Sequence, residues 1–437
     1  MTSKATKPIE RRAFLGRAAA GLAALGAVGP APGILGAAES RKLKAGLVGC
    51  GWYGMVDLNA ALKAGGVEFV ALCDVDSEHL EKSAGDVEKI QGTRPKTFKE
   101  YQDLLQTPGL EILFIATPPQ WHALVFIAAL EKGLDVYCEK PLAYDIREGQ
   151  AMVAAAKKHG RIVQIGFQRR QSDAINQARD HVRSGKAGRV VQVDVRINYT
   201  ASMKDWKPQQ PPPSLDWDRW CGPGPLIPYS PNVGHFAWRL EAAYGNGHLV
   251  DWGIHLIDAT RRILGETMPR TVSAAGGNYF FKEEITTPDV LTVHFDFETC
   301  PVVWRHRIWG AAEADPDLQN GIFCFCEKET IFATDDRWMI IPRKGDRKVV
   351  ETKTAGEMQG RHVADFLEAV RTRRPPACTP EDGYSSTTTV QLGMIAYRVG
   401  SKIAWDGSRG EMVGNPEATR LLKREYRAPY KHPYQNP

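Results

Sequence analysis

The chain has 437 residues, 43% hydrophobic and 24% charged, with a formal net charge of +5. That length accommodates two or three domains, and the balance is that of a globular chain, not a disordered or fibrous one. Lys4, Lys7, Arg11, Arg12 and Arg17 supply part of the charge, so the body is near neutral and offers no basic stripe for nucleic acid.

Residues 1–40 read as a targeting segment and linker. Glu10-Arg11-Arg12-Ala13-Phe14-Leu15-Gly16 carries a twin arginine, an Ala/Gly-rich run follows from Ala18 to Leu35, and Gly36-Ala37-Ala38 offers small residues for cleavage near Ala38. This order looks like a twin-arginine (Tat) export signal, so the protein is expected to meet the Tat machinery and work in the periplasm or another extracytoplasmic space. The apolar run is too short and too broken by glycine and proline for a permanent membrane span. The eight cysteines lack the paired spacing of a structural zinc site, and Cys50, Cys73 and Cys138 lie in strand-like apolar runs as small core residues.

Strand and helix then alternate. Leu43 to Glu68 reads strand, glycine turn, helix; Phe69–Cys73 is a strand and Ser77–Gln91 a helix. Phe98–Leu105 reads as a short helix, Ile112–Ala116 as a strand, His122–Lys132 as a helix and Asp135–Cys138 as a strand. Ile146–His159 is helical and Ile162–Gly166 a strand. Such alternation predicts a parallel sheet with helices on both faces. From Gln168 the pattern changes. A helix with Ile175, Ala178 and Val182 leads into an alternating strand, Val190–Tyr199, then a Pro/Gln-rich loop at Lys207–Pro213 and a region crowded with Trp206, Trp217, Trp220, Trp238 and Trp252. Val250–Leu264 is helical. Strands follow at Thr271–Ala275, Val290–Phe297, Val302–Trp309, Ile322–Cys326, Thr330–Ala333 and Trp338–Pro342, an open and largely antiparallel sheet, with terminal helices at His362–Arg371 and Ser386–Lys402.

The sharpest motif is Gly49-Cys50-Gly51-Trp52-Tyr53-Gly54, a GxGxxG that leaves one strand and opens a helix. Gly49 permits the tight turn, Gly51 lets a pyrophosphate approach the backbone, and Gly54 lets helix and strand pack closely. The helix start offers amide donors to phosphates. Asp74, twenty residues on at the end of the next strand, suits the ribose hydroxyls and repels a 2′-phosphate, which favours NAD over NADP; Asp76 competes for that role. The fold expected is therefore an NAD-binding Rossmann domain over 41–167, followed by a C-terminal α/β domain over 168–437.

Two further segments accompany the fingerprint: Ala116-Thr117-Pro118-Pro119-Gln120-Trp121-His122 at a strand end, and Glu139-Lys140-Pro141. Together with Gly247-His248-Leu249-Val250-Asp251-Trp252-Gly253-Ile254-His255-Leu256-Ile257-Asp258, and with the loop Leu215–Pro223, they resemble the Gfo/Idh/MocA oxidoreductase family over nearly the whole mature chain. The resemblance implies a sugar bound between the two domains, Lys140 beside the nicotinamide and the reacting hydroxyl, and Asp251 and His255 at the site. It also implies a dimer or tetramer.

Oxidising an alcohol needs a base within hydrogen-bond reach of the hydroxyl. His255 suits the task, and Lys140 can either steady the alkoxide or take the proton itself. Asp251 stands four residues before His255, about one helical turn away on the same face, where it can hold the His255 tautomer, bind the sugar or cap the helix. Asp258 lies two turns along the same face, with a structural partner as fitting as a site role. Thr117 and Pro118 are placed along the nicotinamide, His122 against cofactor or as a helix cap, and Glu139 as a loop anchor or cofactor contact. Gln168, Arg169 and Arg170 leave the last Rossmann strand towards the cleft, to bind substrate or form salt bridges. One or two tryptophans are expected to face a sugar, the rest to fill the core. The leading expectation is an NAD-dependent dehydrogenase of a sugar, glycoside or cyclitol. The alternative is an NAD-requiring glycosidase or lyase that oxidises its sugar transiently, and a third is a sugar-binding protein with a vestigial site.

Overall fold

Near-continuous apolar runs make the strands of the first sheet, as parallel strands covered on both faces require. A computed structural model of the chain describes residues 41–435, apart from 311, 312, 314, 353 and 354; the export-signal reading lies outside them. The strands are β1 (Leu43–Val48), β2 (Val67–Cys73), β3 (Lys96–Phe98), β4 (Ile112–Ile115), β5 (Asp135–Glu139) and β6 (Val163–Gly166). They run parallel in the order β3-β2-β1-β4-β5-β6. Helices α1 (Trp52–Ala64), α2 (Ser77–Gln91), α3 (Tyr101–Leu104), α4 (His122–Glu131) and α5 (Ile146–His159) connect them. This is the doubly wound arrangement expected of the sequence, with one addition. The edge strand β3 falls where a helix was expected from Phe98, because three residues are too few to show a strand's period, and the helix shrinks to α3.

The order reverses at β1, between β2 and β4, so the crevice at the carboxyl ends of β1, β2 and β4 is where such a sheet takes its ligand.

The second sheet has ten strands. After α6 (Asp173–Arg183) come β7 (Val190–Asn198), α7 (Trp217–Cys221), α8 (Ile254–Leu264), β8 (Thr271–Gly277), β9 (Val290–Asp296), β10 (Pro301–Arg307), β11 (Gly321–Cys326), β12 (Glu329–Ala333), β13 (Arg337–Pro342), β14 (Lys348–Glu351), α9 (Met358–Thr372), α10 (Pro380–Val399), β15 (Ile403–Asp406), β16 (Glu411–Val413) and α11 (Pro416–Arg420). Their order is β14-β13-β12-β11-β7-β10-β9-β8-β15-β16. Only β7 and β10 run parallel among these pairs; the rest are antiparallel. The outer strands β14, β15 and β16 add to the expected set. Helix α10 starts six residues before the expected Ser386, because Thr379 caps it by accepting from the Asp382 N–H and Pro380 occupies its first turn.

Two late segments return to the first domain. Val363, Phe366, Leu367 and Val370 of α9 share a core with Leu47, Phe69 and Phe114. The tail beyond α11 lies on α5, where Arg424 and Tyr426 meet the buried Glu148. All eight cysteines are free, and all but Cys326 are buried. Among the described residues no helix is long and apolar enough to cross a membrane.

Candidate active site

The glycines of the fingerprint have distinct surroundings. Gly49 has φ +94°, and a methyl added there would lie 2.7 Å from the Ala116 carbonyl carbon. A methyl at Gly54 would lie 1.9 Å from the Gly49 oxygen, so α1 can cross β1 this closely only without a side chain. At Gly51 nothing stands within 4 Å. Gly51 is also the N-cap of α1 and offers no side-chain cap, so the first amides of the helix face open space.

That space is a cavity of about 400 Å³ lined by Gly49, Gly51, Asp74, Thr117, Pro118 and Trp121, among others. Both oxygens of Asp74 receive backbone donors, Oδ2 from the Cys50 N–H at 2.6 Å and Oδ1 from the Asp76 N–H at 2.9 Å. Burial lifts the Asp74 carboxyl above its ordinary value; the two amides, His235 and His79 oppose this. Asp76 is committed to α2, capping the Glu78 and His79 N–H groups, and pairs with His235 at 3.1 Å. The structure thus puts Asp74, and not Asp76, on the cavity wall.

A strap from the second domain, residues 199–248, covers this cavity. Leu215 bridges to Asp76, the Asp216 N–H donates to the Val75 carbonyl at 3.0 Å, and Arg219 pairs with Glu100 at 2.5 Å. The Trp121 indole donates to the Arg219 carbonyl at 3.0 Å. Lys204, Arg219, Trp220, His235, Trp238 and Arg239 form the strap's share of the wall. His235 takes a left-handed backbone, φ +62°.

A second cavity, about 340 Å³, opens beside the first, and Trp52, Tyr53, Ala116, Thr117, Trp238 and Arg239 line both. Its remaining wall includes Glu139, Lys140, Gln168, Arg169, Asp251 and His255. Residues more than a hundred positions apart in the chain therefore meet at the end of the dinucleotide cleft.

Lys140 follows β5 and precedes a cis bond to Pro141. Its Nζ donates to Asp251 twice, to Oδ1 at 2.7 Å and to the main-chain oxygen at 2.8 Å. Arg239 lies 3.3 Å from the same Oδ1, its guanidinium stacked on Trp238 at 4.3 Å. Burial raises the Asp251 carboxyl, but Lys140 and Arg239 outweigh it and hold the group below its ordinary value, as an anion.

His255 joins the same wall without touching Asp251. Its Nδ1 is buried and has no hydrogen-bond partner, and its ring meets Phe167 edge-on at 6.1 Å. Burial first, then the charges of Arg169 and Lys140, push its pKa well below the ordinary value, so the imidazole is neutral. The expected hold of Asp251 on the His255 tautomer is therefore not made. Leu249–Gly253 winds as a wider π-turn and α8 proper begins only at Ile254, so the two side chains do not share a straight helical face. Two cations claim the carboxylate instead.

The other expected residues divide by position. Gln168 donates to Glu139 Oε1 at 2.6 Å, and Glu139 is packed so tightly over Gly166 that a methyl there would strike it. Burial pushes Glu139 up to about 7. Arg169 is gripped by Asp335 at 2.6 Å and lies over Trp252 at 4.9 Å, on the cavity wall. Arg170 instead is buried, joining Asp258 at 2.7 Å to Asp382 at 2.7 Å; both Arg170 and Asp258 stand behind the site as a structural pair. His122 is fully buried, with its two nitrogens 2.8 Å from the Thr117 and Pro141 carbonyls, so it ties the Thr-Pro turn to the Lys140–Pro141 turn from behind the wall. Trp52, 76% exposed, and Trp252, 44% exposed, stand at the mouth of the second cavity, while Trp217 and Trp220 stack in a core.

Arg239 and Gln359 were not foreseen. Gln359, from the first turn of α9, accepts from the Tyr53 hydroxyl at 3.2 Å and donates to the buried Asp57 at 2.6 Å. Neither belongs to a motif; only the fold brings them in.

Three family models match the chain: "Oxidoreductase family, NAD-binding Rossmann fold" over residues 43–167, "GFO/IDH/MocA C-terminal domain" over 175–330, and "Oxidoreductase family, C-terminal alpha/beta domain" over 348–432. An inositol 2-dehydrogenase of Salmonella paratyphi B is 35% identical over 170 residues, 38% of this chain and 49% of that protein; the chain thus matches about half the length of that relative. A myo-inositol 2-dehydrogenase of Thermotoga maritima is 23% identical over 78% of this chain and 92% of that protein. Among solved structures, a levoglucosan dehydrogenase in complex with NADH and levoglucosan superposes with a TM-score of 0.67 at 18% identity, covering 83% of this chain and 99% of that one. With its Rossmann sheet, its second sheet and the matched segments that span both, the chain belongs to the Gfo/Idh/MocA family of oxidoreductases.

Proposed function

We propose that this protein is a dehydrogenase that moves hydride between NAD(H) and a hydroxyl of a sugar, glycoside or cyclitol. The observation that carries this reading is the second cavity, which shares a wall with the first and has Lys140, Asp251 and His255 on the rest of its lining. The residues fit the cofactor. The open approach at Gly51 leaves room for a pyrophosphate, and Asp74 on the wall suits a ribose. When bound, the nicotinamide supplies the hydride acceptor or donor.

The chain supplies everything else. Lys140, held by Asp251, aims an ammonium at the second cavity, where it hydrogen-bonds the substrate oxygen and steadies the charge that grows there. His255 stands on the same wall as the acceptor for the hydroxyl proton, and the burial and cationic neighbours that keep it neutral also weaken it as a base. Arg239 fixes Asp251 from the opposite side, and Trp52 and Trp252 offer flat apolar faces for the C–H side of a ring. Inositol and levoglucosan dehydrogenases among the relatives support a polyhydroxylated ring as substrate.

One observation favours a second reading. The strap covers the dinucleotide cavity, which suits a cofactor kept between turnovers and an internal redox cycle on a glycoside without net NADH. Export through the Tat machinery, read from residues 1–40, is part of the same proposal and fits a retained cofactor. Incubating the full chain with NAD and a panel of sugars, glycosides and cyclitols tests both readings. Accumulating NADH supports the dehydrogenase; glycoside cleavage with stoichiometric retained NAD supports the internal cycle; neither, with an intact fold, sinks both.

A further inference from the structure

The strap meets α2 through three side chains that the hydride chemistry leaves unused. Asp76 caps α2 with Oδ1 and turns Oδ2 to His235 Nε2 at 3.1 Å. His79, on the first turn of α2, sets its ring 4.5 Å from that of His235. One donor atom from each residue lies within 4.8 Å of the others. His79 Nδ1 is buried and has no hydrogen-bond partner, a cost that a Lewis acid would remove.

We propose that Asp76, His79 and His235 bind one divalent transition-metal ion that pins the strap over the dinucleotide cavity. Two imidazoles and a carboxylate suit zinc and its neighbours better than magnesium or calcium, which prefer an all-oxygen shell. Donors about 2.1 Å from a tetrahedral ion stand about 3.4 Å apart. The Asp76–His235 separation of 3.1 Å is close to such an edge, and the His79 donor atom, within 4.8 Å of both, moves inward to complete the triangle. His79 and His235 line the cavity, which gives water access to the site.

A second cluster shows what a saturated set looks like. Asp145, Glu148 and His432 meet the same distance condition. There the carboxylates already accept from the Arg424 main-chain and guanidinium N–H groups, the Tyr426 hydroxyl and the Tyr144 N–H. Each ligand group there already holds hydrogen bonds, and ion pairs from Arg424 and His432 help to tie the tail down.

The test is Zn2+ titration of the chelator-stripped full chain against a chromophoric competitor, repeated with Co2+ to read coordination from its visible absorption. Binding of about one ion per chain is expected, with affinity reduced at least about tenfold in His79→Gln and in His235→Gln. Zn2+ should raise the melting temperature of the parent and leave that of the two variants unmoved. His432→Gln, in the saturated cluster, should bind as the parent does. No Zn2+ bound by the parent at micromolar concentrations, parent-like affinity in both histidine variants, or a six-coordinate cobalt spectrum would each overturn the proposal. The readouts involve no turnover, so they stand or fall separately from the dehydrogenase reading.

Discussion

Asp251 gives its carboxylate to Lys140 at 2.7 Å, and His255, four residues further on, has no part in that bond. The carboxylate is a support for the ammonium rather than a relay to the imidazole. Arg239, at 3.3 Å, shares the load. Asp251→Asn keeps the shape, removes the charge and leaves Lys140 and Arg239 as two unneutralised cations on one wall. It should lower kcat/KM roughly 10- to 100-fold, the worth of a charge-assisted bond, with the fold intact by circular dichroism. Activity within a factor of about two of the parent would show that the pair is structural only.

Gly51 and Gly54 are three residues apart and should fail in opposite ways. Gly54→Ala drives a methyl to 1.9 Å from a backbone oxygen, which cannot rotate aside. It should cost about 3 kcal/mol of stability, read by urea unfolding. Gly51→Ala meets nothing and has an ordinary φ of −69°, so the fold should hold. Its methyl enters the space reserved for phosphate, and NAD affinity measured by calorimetry should fall at least about tenfold, the discrimination a misplaced methyl produces in a close contact. A Gly51→Ala variant that binds NAD as the parent does would remove the pyrophosphate from that turn.

Asp74 bears on the choice between NAD and NADP. Asp74→Asn deletes the negative charge and keeps one acceptor oxygen, enough for only one of the Cys50 and Asp76 amides, which donate to different oxygens of the carboxylate. The ratio of NADP to NAD efficiency should rise by about tenfold or more, since a like charge no longer opposes a 2′-phosphate. Steady-state kinetics with each cofactor would check it; an unchanged ratio would mean that the charge does not select.

Glu139 gives a pH signature. Its carboxyl titrates near 7 when folded, against an ordinary 4.5, because burial disfavours the anion. The folded state therefore holds this proton more tightly than the unfolded state. The contribution is fully present below about 4.5 and is lost as the pH rises through 7. Glu139→Gln escapes that loss. Relative to the parent, its stability should climb by up to about 3 kcal/mol between acid and neutral pH, measured by urea unfolding across the window. A difference independent of pH would show that Glu139 is ionised in the fold without penalty.

Much of this was legible in the sequence because it is local. A strand ending in GxGxxG with Asp74 at the next strand end forces one local geometry, and the alternation of elements forces the sheet around it. Lys140, Asp251 and His255 could be named from their motifs, and the fold brings all three to one cavity. What escaped is what the tertiary fold decides. The partner of Asp251 lies 111 residues away, and helical spacing offered His255 in its place. Arg239 and Gln359 carry no motif. Arg169 and Arg170 are neighbours, yet one lines the cavity and the other is buried against Asp258, a difference set by the turn after β6 rather than by composition.

The most direct test of the central claim is the rate with which Lys140→Ala oxidises a cyclitol or sugar that the parent oxidises, with NAD affinity measured alongside. The account predicts a loss of about a thousandfold in kcat/KM at unchanged NAD affinity, since the residue steadies the reacting oxygen and touches no phosphate. Turnover within a few-fold of the parent would contradict it.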